Sequence, residues 1–209
     1  NFINIIIDKP MILVVNNSKN LYKANMTPKL LKILDSWYIQ YHIINKKKDF
    51  KKNKFKQNKN KFKGIILSGG PLCISDNPYY KDIVKNISAI QLLPGIPVLG
   101  ICFGFQIICD IFGGYIDKLH YHNLGFKKIN VEHSDMELFK NINDTRTFFF
   151  SHNDQITQIP NGFKYFMHNN IIIYIENIEK KIYGVQFHPE GSTDGHMIIK
   201  NFIFNIAYF

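Results

Sequence analysis

The sequence predicts an α/β fold: a mostly parallel sheet flanked by helices, followed by an antiparallel extension. Three observations carry this. Short apolar runs, such as Met11–Val15 and Val98–Ile101, are too continuous for one-sided strands and read as parallel strands covered on both faces. Segments with helical spacing separate them, which implies right-handed βαβ units. After Gly113-Gly114 the pattern changes, and strand-like segments follow one another with no long helix between them.

Taken in order, residues 11–15 are the first strand. Thr27-Pro28 is a helix start, with Thr27 as N-cap and Pro28 at the first helical position, and the helix is expected over 29–38. A short strand at 41–44 precedes a lysine-rich run, 46–63, interleaved with Asn, Gln and Phe. Its composition predicts a solvated, mobile basic insertion. The third strand, 64–67, ends in Ser68-Gly69-Gly70-Pro71. Asp76-Asn77-Pro78 opens a helix to about residue 90, Pro94-Gly95 turns the chain, and the strand at 98–101 runs into a helix ending near 112. Later strands are expected at 127–131, 146–150, 163–168, 171–176 and 182–187. Asp194-Gly195 then opens an amphipathic helix to about 207.

At 209 residues the chain fits one domain, 1–209, with a substantial core. Its net charge of +10 raises nucleic acid as a partner. Much of the excess lies in the 46–63 run, where Phe50, Phe55 and Phe62 are a thin set of stacking aromatics, so nucleic acid is not expected. Three cysteines show no paired spacing, which suggests free thiols in a reducing compartment. No secretory pattern opens the chain and no apolar run approaches the roughly 20 residues of a membrane span, so a cytoplasmic protein is expected. The chain opens on Asn rather than Met, and Met11 is expected near the domain's own start. Nothing after Ala207 has the length of an ATP-binding domain. An acceptor-using activity is therefore expected on another subunit or in a longer chain.

Gly100-Ile101-Cys102-Phe103-Gly104 puts a cysteine on a sharp strand-to-helix turn, with glycines two residues to either side that permit close backbone packing. Such an elbow lifts the side chain clear of the sheet and aims a helix N-terminus at it, which favours a thiolate. A lone cysteine is more often a small buried hydrophobe, and Cys109, two helical turns on, is read so. At the far end, a strand leads into His188-Pro189-Glu190. In extended chain His188 and Glu190 project to one side. The carboxylate can then fix the imidazole tautomer while the imidazole takes a proton from a thiol. A cysteine elbow with a distant histidine is the sequence form of a Cys-His-acid triad. His120, His122 and His133 have no ligand-spaced acidic or thiol neighbours, so they are read as surface or loop residues and no metal is expected. Gly69-Gly70 is followed by no Walker-type Gly-Lys-Ser/Thr, which argues against a phosphate site.

Ile65-Ile66-Leu67-Ser68-Gly69-Gly70-Pro71, the Cys102 elbow and Gly184-Val185-Gln186-Phe187-His188-Pro189-Glu190 resemble the three signatures of class I (triad-type) glutamine amidotransferase domains. The resemblance runs from about Met11 to the C-terminus. It implies a flavodoxin-like mostly parallel sheet with an antiparallel extension, and a glutaminase without a cofactor. It also implies Cys102 as nucleophile, His188 as base and Glu190 as the orienting acid. The oxyanion hole would come from the main chain of Gly70 and Phe103. Gly69, Gln106, Ser151 and His152 would hold the substrate, glutamine. Within the family, the segment 151–156, read as a loop, is most similar to the glutaminase part of GMP synthetases. Anthranilate synthase glutaminases usually carry a Tyr-His-Ser type of segment there. The implied partner is an ATP-dependent synthetase of the GMP synthetase type. His152 and Asp154 could mimic a second dyad. Gly191 stands where the family often has a larger residue, so the chain after Glu190 is expected to be less constrained. Alternatives are an amidotransferase subunit of another pathway, a γ-glutamyl amidase, or a non-catalytic binding protein acting through its basic run.

Overall fold

The computed structural model describes residues 10–18, 26–76, 81–131, 135–142 and 144–208. Asn77-Pro78 and His133 lie outside them. A seven-stranded sheet has the order β2-β1-β3-β4-β9-β8-β7. Its parallel part comprises β1 (Met11–Val15), β2 (Gln40–Ile44), β3 (Phe62–Leu67), β4 (Val98–Ile101) and β9 (Ile182–Val185). The hairpin of β7 (Lys164–His168) and β8 (Ile171–Asn177) then extends one edge antiparallel. In β1, Ile12 and Val14 join one core cluster while Leu13 and Val15 join the other, so the strand is apolar throughout. The first cluster is covered by α1 (Met26–Ser36) and the C-terminal helix; the second by α2 (Asn53–Asn58), α3 (Lys81–Leu92) and α4 (Phe103–Ile111). The C-terminal helix is α5 (His196–Asn201), continued by a π-helical turn, Phe202–Ala207.

The helix expected over 29–38 is α1 and includes Thr27. That hydroxyl donates to Asn16 Oδ1 at 3.2 Å, so Thr27 ties the helix to the end of β1 instead of capping it. The 46–63 run is not a loose insertion. It forms two short 3₁₀ turns around α2 and then enters β3. Phe50, Phe55 and Phe62 are buried, with Phe55 stacked on Phe62 at 5.6 Å. Asp49 accepts the main-chain N–H groups of Asn45 and Lys46. The aromatics are anchors, and Lys51, Lys52, Lys54, Lys56 and Lys59 between them are exposed.

The larger difference follows α4. A ribbon of two long antiparallel strands, β5 (Tyr115–Asn130) and β6 (Thr145–Gln158), stands apart from the main sheet. Residues 151–156, expected as a loop, are part of β6. Burial there alternates through Phe148, Phe150, His152, Asp154 and Ile156, so polar side chains occupy inward positions. His120 and His122, expected on the surface or in loops, lie on β5 with exposed side chains. The ribbon is joined to the sheet's far end where His188 N–H donates to the Phe149 carbonyl at 2.7 Å. Among the described residues no helix is long and apolar enough to cross a membrane.

Candidate active site

Three strand tips converge at the carboxyl end of the parallel sheet, where open α/β sheets bind ligands. The residues after β3 supply Gly69 and Gly70, the residue after β4 is Cys102, and the segment after β9 brings His188 and Glu190. Together with β6 they enclose a cavity of about 500 Å³ lined by Gly69, Gly70, Cys102, Gln106, His152 and His188, among others.

Cys102 has φ +49° and ψ −102°, a region that costs a non-glycine residue on the order of 1–3 kcal/mol. The strain is held on both sides. Cys102 N–H donates to the Val185 carbonyl at 2.8 Å, and the Cys102 carbonyl accepts Gln106 N–H at 3.1 Å. The elbow also needs its glycines: a Cβ on Gly100 would lie 2.6 Å from the Gly104 carbonyl oxygen. Cys102 therefore stands at the start of α4 with its sulfur in the cavity wall. Cys109, by contrast, is fully buried, and burial pushes its thiol up to about 12.

His188 Nδ1 lies 3.1 Å from Glu190 Oε1, and both side chains are buried. The pairing does not use the extended geometry expected from sequence. The strand ends at Val185, and Pro189–Gly191 is a 3₁₀ turn that folds Glu190 back under the ring. Burial alone would drive the imidazole towards neutrality. The facing charges of Cys102 and Glu190, with the Glu190 hydrogen bond, outweigh it and hold His188 well above the usual imidazole value. Gly191 is tightly packed: a Cβ there would come within 2.6 Å of Met26 and 2.9 Å of Phe149. The small residue admits α1 and the ribbon to the back of the turn, so the chain after Glu190 is more constrained than expected.

Gly69 lies against both histidine and cysteine, since a Cβ on it would lie 2.7 Å from His188 Cε1 and 3.7 Å from Cys102 Cβ. Gly70 lies against Phe103, whose ring is 3.2 Å from the position of a Gly70 Cβ. The two main-chain segments expected to bind an oxyanion are thus neighbours.

His152 behaves differently from His188. Its Nδ1 donates to the Asp154 main-chain carbonyl at 2.7 Å, and its Nε2 accepts from Asn123 Nδ2 at 2.8 Å. Burial, helped by the nearby charge of His188, outweighs the carbonyl hydrogen bond and lowers it to about 4. The Asp154 carboxylate turns away, to the N–H and hydroxyl of Ser75, so His152 and Asp154 form no dyad. Ser151 presents its carbonyl 3.6 Å from Cys102 Sγ, and its hydroxyl approaches His122, which the sequence placed on the surface or in a loop and which lines the cavity. Gln186 was also missed. It is fully buried and bridges Gln106 and the Cys102 sulfur. Its place two residues before His188, pointing inward on a strand end, is the signal that could have found it. Among the described residues no three His, Cys, Asp or Glu side chains converge to hold a metal.

A buried thiol beside an imidazole held charged by a carboxylate can act as a thiolate nucleophile towards an acyl carbon, with the histidine returning a proton to the leaving group. Comparison with known proteins points the same way. Residues 19–206 match the family model described as glutamine amidotransferase class-I. The glutamine-hydrolysing GMP synthase of Borrelia garinii subsp. bavariensis is 41% identical over 148 residues, covering 69% of this chain and 27% of that protein. That of Crocosphaera subtropica is 37% identical over 149 residues, covering 69% and 26%. The chain thus spans about a quarter of the length of the curated relatives it matches. Among solved structures, a Thermoplasma acidophilum protein provisionally named as a GMP synthase subunit superposes with TM-score 0.75 at 25% identity, covering 96% of this chain and 94% of that one. A glutamine amidotransferase of Thermotoga maritima shares the fold, with TM-score 0.70 at 18% identity over 94% and 83% of the two chains.

Proposed function

The chain belongs to the class-I glutamine amidotransferase family, and we propose that it hydrolyses the side-chain amide of glutamine through a thioester on Cys102. The observation that carries this reading is the left-handed Cys102 at a helix start, facing a buried His188–Glu190 pair across one cavity. The Cys102 thiolate attacks the amide carbon of glutamine. The carbonyl electrons move onto oxygen, where the main-chain N–H groups of Gly70 and Phe103 receive them. Collapse breaks the C–N bond as His188 gives its proton to the departing nitrogen, releasing ammonia. Neutral His188 then takes a proton from water, the resulting hydroxide attacks the thioester, and the C–S bond breaks to leave glutamate and the thiolate–imidazolium pair. Glu190 orients the ring through its hydrogen bond to His188 Nδ1. Gly69, Gln106 and the main chain at Ser151 and His152 hold the amino-acid end of the substrate.

The ammonia passes to an ATP-dependent synthetase of the GMP synthetase type, whose acceptor is adenylylated XMP. The relatives named glutamine-hydrolysing GMP synthase support this reading. The chain acts as one glutaminase unit, and its three unpaired cysteines suit a reducing, cytoplasmic setting. The test is glutamate release by the purified chain, by itself and mixed with an XMP-aminating synthetase. Cys102→Ala is expected to reduce turnover by at least about 10³-fold while leaving the circular dichroism spectrum unchanged. Full activity in that variant overturns the mechanism. Preference for γ-glutamyl peptides over free glutamine overturns the substrate.

A further inference from the structure

We propose that Gln186 donates a hydrogen bond to the Cys102 thiolate, and that the Asp154 main-chain carbonyl, acting through Gln106, fixes which end of its amide faces sulfur. The proposal rests on Cys102 as the nucleophile.

A carboxamide has a donor end and an acceptor end of nearly equal shape, so its orientation is read from its neighbours. A main-chain carbonyl can only accept. The Asp154 carbonyl lies 3.4 Å from the Gln106 amide, so the NH₂ end of Gln106 faces it. The same nitrogen lies 3.1 Å from the Gln186 amide, which must therefore present its oxygen. That leaves the NH₂ end of Gln186 towards Cys102 Sγ, at 3.7 Å. Every amide in the series is set by one carbonyl, and the carbonyl belongs to the ribbon rather than to the sheet that carries the cysteine. Asp154 is itself clamped: its carboxylate accepts from Ser75, and its carbonyl also accepts His152 Nδ1–H. Gln186 has no exposed surface, so no water competes for the hydrogen bond.

The groups around the sulfur divide by state. In the thiol form, S–H can donate to the Ser151 carbonyl at 3.6 Å. In the thiolate form, sulfur faces the charged ring of His188, backed by Glu190, and accepts from Gln186, with the start of α4 behind it. His152, the other imidazole of the cavity, is held neutral. Gln186 thus contributes whenever the negative charge is on sulfur: before attack, and again when the C–S bond of the thioester breaks and its electron pair returns.

The experiment is alkylation of Cys102 by iodoacetamide across a pH series, without glutamine, with the modified residue identified by mass spectrometry. Gln186→Met removes the donor at similar length. Its alkylation at neutral pH should fall about tenfold, as expected for loss of a hydrogen bond to a charged group. The rates should converge with wild type in alkali, where the thiol is ionised in either protein. A pH profile superimposable on wild type in the folded variant overturns the proposal, because a packing role would lower stability and leave the profile in place. Should Gln186→Met not fold, the isosteric Gln186→Glu keeps an acceptor for Gln106 and puts an anionic oxygen against sulfur. A larger loss is expected there, and an unchanged profile again overturns the proposal. Wild-type protein that shows the Gln186 dependence yet never hydrolyses glutamine supports the hydrogen bond and overturns only the glutaminase reading.

Discussion

The cavity is walled by two regions that use the same residue type to opposite effect. The sheet tips contribute His188, buried between a thiol and a carboxylate and held charged. The ribbon contributes His152, also buried, but placed between a carbonyl and a side-chain amide and held neutral. Burial pushes both rings the same way, so the difference comes from their partners. Glu190 and Cys102 can carry charge to meet an imidazolium; Asn123 and the Asp154 carbonyl cannot. The sheet side thus places a charged imidazole at the cavity and the ribbon side a neutral one.

The most direct way to break this contrast is to give His188 the kind of neighbour His152 has. Glu190→Gln replaces the carboxylate with an amide, and glutamine hydrolysis should fall about 10²- to 10⁴-fold, as in other triads that lose their acid. Single-turnover glutamate release would measure it, and a loss under about threefold would mean Glu190 does not set the state of the ring.

A smaller effect sharpens the other side. The value of His152 is depressed in the fold, so unfolded chain takes up its proton first on acidification. The associated stability is present above pH 6.5 and is lost as pH falls towards 4, about 2 kcal/mol of it between pH 7 and 5. His188, with its raised value, runs in reverse: its contribution is present at low pH and is lost as pH rises through its folded value. His152→Gln should flatten the acid arm in urea unfolding at the two pH values. Equal losses in variant and wild type would show that His152 is not the neutral member of the pair.

The smallest effect is expected away from the cavity. Changing Lys54, Lys56 and Lys59 together to Gln should move stability by no more than about 0.5 kcal/mol per site and leave glutamine hydrolysis unchanged, because all three are exposed. A loss of activity would join the basic run to the site.

The same two regions separate what could be read from sequence. Cys102, His188 and Glu190 were legible as candidates because each follows closely on a short apolar strand, where period and punctuation agree. The ribbon was not. Its inward positions on β6 include His152 and Asp154, which hide the alternation, and the pairing of β5 with β6 shifts register between Lys118 and Asn123. Its strands are joined through residues 131–144 rather than by a tight hairpin. The run at 46–63 misled for a related reason. Composition weighs many lysines above three phenylalanines, whereas packing depends on which side chains point inward.

The hydrogen bond from Cys102 N–H to the Val185 carbonyl has a consequence for the order of events in folding. The elbow leaves β4, whose outer edge pairs with β9, a strand from late in the chain. A nascent chain that has emerged only as far as β8 has its first four parallel strands and its cysteine. It lacks the strand that holds the elbow, and it lacks His188, Glu190 and Gln186. Contacts between residues so far apart in sequence form late, after the loop-closure entropy between them has been met. The elbow and the histidine that faces it are thus brought together only with the last parallel strand. Alkylation of Cys102 during refolding would time the closure of the sheet.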